Sequence, residues 1–305
     1  FIEEVIALAD INMKKIYRYN MVRSFRFILA FLIASAFCKM SWASFYSDIS
    51  NAFLPNELSQ LMVGDTAVPI FDIPASTPLS RGVVYILADQ SSNELNLTQS
   101  KALAESLSEK GWHCIVSPIP LILGNPVWAE NTSEDAKGES SGAHPRIDSR
   151  STQLDYQASA QHLVVLLNAL DNYSQGHQGF RVIVSQGMTA AQVLDLGAQE
   201  KIAAPSTLVT LSPFWPEAQI NRAIPDVIAS TSFPVLDLSL PNVNAWAHQT
   251  ASKRRHKAAT SLKLHYRQQS IPAQISTFSL MDNDKPPYIH ILSGHIIGWT
   301  RYLGW

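Results

Sequence analysis

The segment at residues 180–193, FRVIVSQGMTAAQV, constrains the fold more than any other part of this chain of 305 residues. It opens with the β-branched run Val182, Ile183 and Val184, turns sharply at Gly187, and continues with small residues that favour a helix. A short buried strand, a tight turn and a helix that starts with small residues are typical of the centre of a parallel sheet. The segment therefore predicts a sheet covered by helices on both faces.

The same turn has the spacing of a nucleophile elbow, the strand–turn–helix G-x-S-x-G that presents a catalytic serine. The five positions here are Ser185, Gln186, Gly187, Met188 and Thr189. The middle position, where the attacking serine would stand, is Gly187, which has no side chain to react. The sequence thus predicts the scaffold of a hydrolase with a degenerate nucleophile slot.

The rest of the chain extends this pattern. A hairpin is predicted at residues 57–73, because two apolar segments flank the two-residue turn Gly64-Asp65. Further strands are predicted at 81–88, 112–118, 206–211, 234–240 and 265–271, and further helices at 98–110, 154–170, 245–262 and 288–303. This alternating order predicts an α/β-hydrolase-like fold: a mostly parallel sheet with helices on both faces and an antiparallel N-terminal hairpin.

Composition favours one domain at residues 44–305. The chain is 46% hydrophobic and 16% charged, so it can bury a large core, and it shows no internal repeat. Residues 124–153 are rich in Ser, Glu, Asp and Gly and nearly free of apolar side chains. This segment is predicted to be a long loop, with a mobile part at about residues 129–153.

Residues 1–43 are interpreted as a signal peptide. A basic stretch (Lys14, Lys15, Arg18, Arg23, Arg26) precedes the short apolar run 27–37 and the small-residue site Ser41-Trp42-Ala43. We expect an exported, periplasmic protein whose mature chain starts near Ser44. A membrane anchor or a buried helix is the alternative, and residues 1–12 are interpreted as an upstream extension, with Met13 or Met21 as the start.

Charge and cysteine content exclude several partners. Residues 44–305 carry 17 Lys/Arg and 22 Asp/Glu, a formal net charge of −5, which argues against nucleic acid as a partner. Cys114 is the one cysteine there, so it cannot form an internal disulfide. The sequence has no phosphate loop, metal-binding cluster or dinucleotide fingerprint, so no cofactor is expected.

Several short strings also suggest a family. They are RGVV at 81–84, EKGW at 109–112, QGMTA at 186–190, PVLDL at 234–238, RR at 254–255, YRQ at 266–268 and GWTRYL at 298–303. In this order they resemble an uncharacterised family of exported bacterial α/β-hydrolase-like proteins, known only as a domain of unknown function, over residues 57–305. In that family the elbow reads G-H-G-x-G, so the resemblance implies the fold and no particular reaction. Ser185 and Thr189 depart from it by replacing the flanking glycines.

The other catalytic slots of such a fold are also empty in the sequence. The acid slot after the strand at 234–240 falls near Asn242 or Asn244, which do not ionise. The histidine slot at 271–287 contains no histidine. The loop after the strand at 81–88 continues with Asp89 in place of the usual His-Gly.

Five residues remain as catalytic candidates. Ser185 and Ser212 each follow a central strand, where sites on open α/β sheets gather, and His290 and His295 begin the last helix. Asp237 lies within an apolar strand, where a carboxylate needs a partner such as a backbone amide or a nearby arginine. Each also has a structural interpretation: the serines as turn residues, the histidines as surface or core residues, and Asp237 as a buried structural group.

The basic run Lys253, Arg254, Arg255 and Lys257 is the last feature of note. It is interpreted either as a solvated helix face or as a surface that binds an anionic envelope component, such as a lipid head group or acidic glycan.

Two functions follow from these observations. The first hypothesis is a degenerate α/β-hydrolase-like protein that serves as a non-catalytic binding or envelope-associated module. The second is a carboxylesterase or other acyl hydrolase that uses an atypical serine. A purely structural partner protein cannot be separated from the first hypothesis by sequence.

Overall fold

A computed structural model describes residues 40–54, 56–89, 95–122, 154–240, 245–271 and 287–305. The chain divides into two compact units, Phe1–Ala52 and Phe53–Trp305. In the first unit the structure describes one helix, α1 (Met40–Ala52), within which the expected cleavage point before Ser44 lies. The predicted mobile loop at 129–153 lies outside the described residues. No helix in the described ranges has the length and apolar character needed to span a membrane.

The second unit alternates strands and helices, as the sequence predicts. Its strands are β1 (Ser59–Val63), β2 (Thr66–Ile73), β3 (Gly82–Ala88), β4 (Trp112–Pro118), β5 (Phe180–Gln186), β6 (Thr207–Leu211), β7 (Val235–Ser239) and β8 (Tyr266–Ser270). Its helices are α2 (Leu97–Ser108), α3 (Tyr156–Tyr173), α4 (Gly187–Ala198), α5 (Ala218–Ser230), α6 (Ala245–Thr260) and α7 (Pro287–Tyr302). The predicted strands and helices are all present, and α5 is an addition to them.

The eight strands form one sheet in the order β1-β2-β4-β3-β5-β6-β7-β8. The hairpin β1–β2 and the pair β2–β4 are antiparallel, and all the other pairs are parallel. At the hairpin turn Gly64 has a φ of +59°, a conformation that glycine adopts without steric cost. The predicted fold class, a mostly parallel sheet with an antiparallel N-terminal hairpin, is therefore confirmed.

The two faces of the sheet have different coverings. Val84, Val184 and Leu236 pack in one buried apolar cluster with side chains of α2 and α7, and we call this side the α7 face. Because side chains alternate along a strand, Ser185 and Asp237 point to the opposite side, the α6 face. There Arg254 of α6 contacts Asp237, and the Tyr85 hydroxyl donates to the carbonyl of Leu170 in α3 (3.3 Å).

Candidate functional site

The predicted elbow is present at the carboxyl end of β5. Gln186 is extended (φ −122°, ψ 153°), and the chain turns at Gly187, where α4 begins. Gly187 has a φ of +55°, in the left-handed region that favours glycine. The backbone thus has the strained strand-to-helix shape that presents a nucleophile in hydrolases, but it carries no reactive side chain.

An aromatic ring lies against the empty nucleophile slot. A Cβ atom added at Gly187 would lie 3.1 Å from Cε1 of Phe214, which is tighter than ordinary van der Waals contact. The Phe214 amide donates to the Gly187 carbonyl (3.2 Å), which fixes the ring beside the elbow. No local pattern links these two residues, so the sequence gives no signal for this contact.

A carboxylate also faces the elbow. Oδ2 of Asp89, the residue after β3, lies 3.8 Å from the position of a Cβ atom at Gly187. The Asp89 amide donates to the Leu95 carbonyl (2.9 Å), and the Leu95 amide donates to Oε1 of Gln186 (2.8 Å), so both residues are tied to the elbow. Acyl transfer needs hydrogen-bond donors aimed at a developing oxyanion, whereas the Asp89 side chain brings a carboxyl oxygen to this point.

The two candidate serines are both buried, and only Ser212 is hydrogen-bonded in a structural role. Ser185 is fully buried on the α6 face, and its Oγ has no hydrogen-bond partner among the described residues. Ser212 directly follows β6 and has a φ of +46°. Its Oγ accepts from the Leu240 amide (2.8 Å), and its amide donates to the Leu238 carbonyl (2.8 Å). Ser212 therefore joins the ends of β6 and β7. In the described part of the chain neither serine is hydrogen-bonded to a histidine.

Asp237 has the partner that its apolar surroundings require. It is fully buried, and Nε of Arg254 lies 2.8 Å from its Oδ2. Tyr266 Oη and Gln268 Nε2 donate to the same oxygen at 2.8 and 2.9 Å, and Arg254 Nη2 donates to Oδ1 at 3.3 Å. Burial and the neighbouring Asp237 raise the pKa of Tyr266, which keeps its hydroxyl a donor. The expected need for an arginine or similar partner is confirmed. Both carboxylate oxygens of Asp237 accept hydrogen bonds within a buried network.

This network corrects one part of the predicted basic surface. Arg254 is fully buried, and its Nη1 donates to Thr250 Oγ1 (2.7 Å), so it cannot contact a ligand in solution. Lys253, Arg255 and Lys257 are exposed on the other sides of α6. Nζ of Lys257 forms an ion pair with Asp226 Oδ1 (2.6 Å), which is exposed to solvent on both sides.

The sheet separates the candidate histidines from Ser185 and Asp237. His290 and His295 lie on α7, which covers the α7 face, whereas Ser185 and Asp237 point to the α6 face. His290 is exposed. Nδ1 of His295 donates to Oε1 of Gln269 (2.6 Å), and burial lowers the pKa of its ring. These candidates do not assemble into a nucleophile, base and acid.

The remaining predicted slots fall largely outside the structure. Asn242 and Asn244, at the acid slot, and most of the histidine slot, residues 272–286, lie outside the described residues. Within the described ranges, His, Cys, Asp and Glu side chains form no group of three or more that could hold a metal ion.

The strand order and the elbow after β5 define an α/β-hydrolase fold, and solved structures agree. The chain is similar to a sugar hydrolase (YeeB) from Lactococcus lactis at 11% identity, over 81% of this chain and 98% of that one, with a TM-score of 0.54. It is similar to a putative dienelactone hydrolase from Klebsiella pneumoniae subsp. pneumoniae MGH 78578 (13% identity, 81% and 97% covered, TM-score 0.52). It is also similar to the carboxylesterase Cest-2923 from Lactobacillus plantarum WCFS1, at 9% identity over 81% of this chain and 97% of that one, with a TM-score of 0.52. At such identities the likeness shows the fold alone.

The chain belongs to the family described as Protein of unknown function (DUF3530), whose sequence profile matches residues 47–284. This match confirms the resemblance to a domain of unknown function with a hydrolase-like fold. No curated protein matches the chain.

Proposed function

We propose that this protein is an exported, non-catalytic binding module built on an α/β-hydrolase fold. The observation that carries the proposal is the elbow, where Gly187 occupies the nucleophile slot and the ring of Phe214 lies against it. The carboxylate of Asp89 and the burial of Ser185 support the same conclusion. A hydrolase of this fold requires a nucleophile within hydrogen-bond reach of a base. Loss of this nucleophile–base pair lowers the catalytic rate on the order of a millionfold.

The proposed ligand is an anionic component of the cell envelope. Lys253, Arg255 and Lys257 are exposed on α6, although residues 44–305 as a whole have a formal charge of −5. A local basic surface on an acidic protein directs anionic groups to one side of the molecule. This role requires no reactive side chain at the elbow.

The alternative function is an acyl hydrolase that uses Ser212. One observation favours it: Ser212 holds a left-handed backbone conformation, φ +46°, at the carboxyl end of a central strand. Strained residues at strand ends cluster at functional sites. In this alternative the hydrogen bond from the Leu240 amide to the Ser212 hydroxyl would have to break before the hydroxyl could attack a substrate.

We expect the wild-type protein to show background rates with short p-nitrophenyl esters and no labelling by a fluorophosphonate probe. Gly187→Ser should not restore turnover, because the new side chain meets the ring of Phe214, and a serine hydroxyl is a weak nucleophile without an adjacent base. The double variant Gly187→Ser, Phe214→Ala gives the serine room and should also remain inactive. An active carboxylesterase of the same fold serves as the positive control for both assays.

Ser185→Ala and Ser212→Ala are the variants that separate the two functions. If the wild type hydrolyses esters and either change abolishes both hydrolysis and labelling, that serine is the nucleophile and the non-catalytic proposal is wrong. Thermal melting of each variant is needed alongside, because Ser212→Ala also removes the acceptor of the Leu240 amide.

Export is tested at the N-terminus. When the chain is produced in a bacterial host, we expect the protein in the periplasmic fraction to begin near Ser44, because a basic stretch, a short apolar run and a small-residue site precede that position. Mass spectrometry of the intact protein measures its N-terminus. A membrane-bound protein that still begins at Met13 or Met21 would support the anchor instead.

A further inference from the structure

The turn between α6 and β8 places apolar side chains outward and a charged one inward. We call residues 261–265 the leucine turn. Leu262 and Leu264 are 84% and 79% exposed. Lys263, between them, is partly buried, and its Nζ donates to the carbonyls of Thr231 and Phe233. A single exposed leucine is ordinary, but two that flank an inward lysine reverse the usual pattern of a soluble surface.

The backbone holds Leu262 in an unfavourable conformation. The Leu262 amide donates to the Ala259 carbonyl (3.2 Å) and the Lys263 amide to the Ala258 carbonyl (3.0 Å), the pattern that closes a helix in a Schellman motif. In this motif Leu262 occupies the left-handed position, φ +52°, where glycine is the usual residue. The leucine gains almost no burial within the chain, so local stability does not account for it.

The surroundings of the turn are basic. Residues 245–271 and 287–305 contain seven Lys/Arg and no Asp/Glu. Lys253 and Arg255 are exposed on α6, and Arg301 is exposed near the end of α7. Two acids from other elements pair with this basic region: the buried Asp237 with Arg254, and the exposed Asp226 with Lys257 in the last turn of α6.

An aromatic side chain joins the turn to the end of α7. Tyr302 is 53% exposed, and its ring centroid lies 6.1 Å from that of His265 and 4.5 Å from the guanidinium carbon of Arg267. Tyrosine has an apolar body and a polar hydroxyl, which suits it to the boundary between water and lipid.

From this arrangement we propose that the leucine turn docks the protein on an anionic lipid bilayer. Leu262 and Leu264 insert between the head groups, Tyr302 lies at the interface, and the exposed Lys253, Arg255 and Arg301 supply positive charge that attracts the anionic surface. The positive charge around the turn is what favours a bilayer over a protein partner. This inference deepens the proposed envelope-binding function, because it names the ligand surface and the residues that contact it.

The test is co-sedimentation of the full chain with vesicles of phosphatidylethanolamine and phosphatidylglycerol, compared with vesicles of phosphatidylcholine. We expect binding to the anionic vesicles that weakens with salt. The change Leu262→Gly, Leu264→Ser should reduce the partition coefficient on the order of tenfold or more, because two inserted apolar side chains are lost. The matched control, Leu54→Ser with Leu79→Ser, removes two exposed leucines elsewhere and should leave binding unchanged.

Leu262→Gly alone separates a docking role from a structural one. Because glycine fits the left-handed position, the melting temperature should stay the same or rise by up to about 4 °C, while vesicle binding falls. A drop in the melting temperature with unchanged vesicle binding would show that Leu262 serves the fold.

The charge requirement is tested with Lys253→Ala, Arg255→Ala and Arg301→Ala combined, which should also reduce binding to the anionic vesicles on the order of tenfold or more. Equal binding to both kinds of vesicle, or equal loss in the Leu54 and Leu79 control, would overturn the proposal and leave a protein partner as the occupant of the turn. All variants carry the same N-terminal residues, so differences report on the substituted positions. Co-sedimentation measures vesicle binding and not ester cleavage, and all variants meet the same lipids, so discovery of esterase activity would refute the non-catalytic function and leave this result standing.

Discussion

Replacing Arg254 with methionine is expected to lower the free energy of unfolding by about 3–5 kcal/mol, whereas the same change at Arg255 should leave it nearly unchanged. The two arginines are neighbours on α6, but Arg254 is fully buried and Arg255 is exposed. Without Arg254, the carboxylate of Asp237 keeps neutral donors from Tyr266 and Gln268 and loses its one recorded cationic partner. A buried charge without a compensating charge is among the costliest single changes in a protein.

Urea unfolding and thermal melting measure this difference. For a unit of this size the loss corresponds to a drop in melting temperature of roughly 6–20 °C. Adding Asp237→Asn to Arg254→Met removes both charges and keeps an acceptor for Tyr266, so it should recover a large part of the loss. If Arg254→Met is no more destabilising than Arg255→Met, the buried ion pair does not contribute as the contacts indicate.

The same pair explains why Asp237 does not serve as the acid of a triad. Its Oδ2 accepts from Arg254, Tyr266 and Gln268, and it lies within β7 rather than in the loop that follows. Thr210 and Ser185 stand beside it in register on β6 and β5. Since adjacent strands are about 4.8 Å apart, Ser185 and Asp237 are separated by roughly 10 Å across this row.

Most of the fold could be predicted from the sequence because its central strands are continuous apolar runs and key turns carry glycine. The segment 180–193 alone indicates a buried parallel strand, a left-handed turn at Gly187 and a helix, and all three are present. The strand order depends on which strands pair over long distances. Local periodicity does not encode that pairing, so the sequence predicts a mostly parallel sheet with an N-terminal hairpin and leaves the order of the strands open.

The sequence around the basic run contains a helical signal that marks Arg254 as buried. Ala247, Thr250, Arg254 and Ala258 are spaced by three and four residues and form the buried stripe of α6. Arg254 is therefore the basic residue on the buried face of α6, where it meets the carboxylate of Asp237, which needs a partner. Helical spacing separates it from Lys253 and Arg255, which fall on other sides of the same helix.

Two features of the structure could not be predicted: the contact at the elbow and the orientation of the leucine turn. The ring of Phe214 reaches Gly187 only because β5 and β6 are neighbours in the sheet, and nothing near Phe214 in the sequence indicates this contact. In the leucine turn, alternation places Leu262 and Leu264 on one side of Lys263. Which side faces solvent depends on the left-handed φ values of Leu262 and His265, a property of the folded turn.

Gly82→Ala is expected to be more damaging than a change to alanine at any other glycine that the structure describes. Gly82 begins β3 with a φ of +142°, a conformation that side chains rarely adopt. An added Cβ atom would overlap the backbone of Phe180, which begins the neighbouring strand β5 and pairs with Gly82 in register. Backbone strain and overpacking together should cost roughly 3–6 kcal/mol, a large share of a typical total stability.

Gly298→Ala is the matched control for this substitution. Gly298 is exposed on α7, and a Cβ atom there would meet nothing within 4 Å, so alanine should stabilise the helix by up to about 1 kcal/mol. Urea unfolding of the two variants should therefore shift in opposite directions. If Gly82→Ala proves insoluble, recovery of Gly298→Ala in soluble form still separates the two sites. Because β3 is central and leads directly to Asp89 beside the elbow, a well-folded Gly82→Ala protein would mean that β3 and β5 do not approach as closely as the structure indicates.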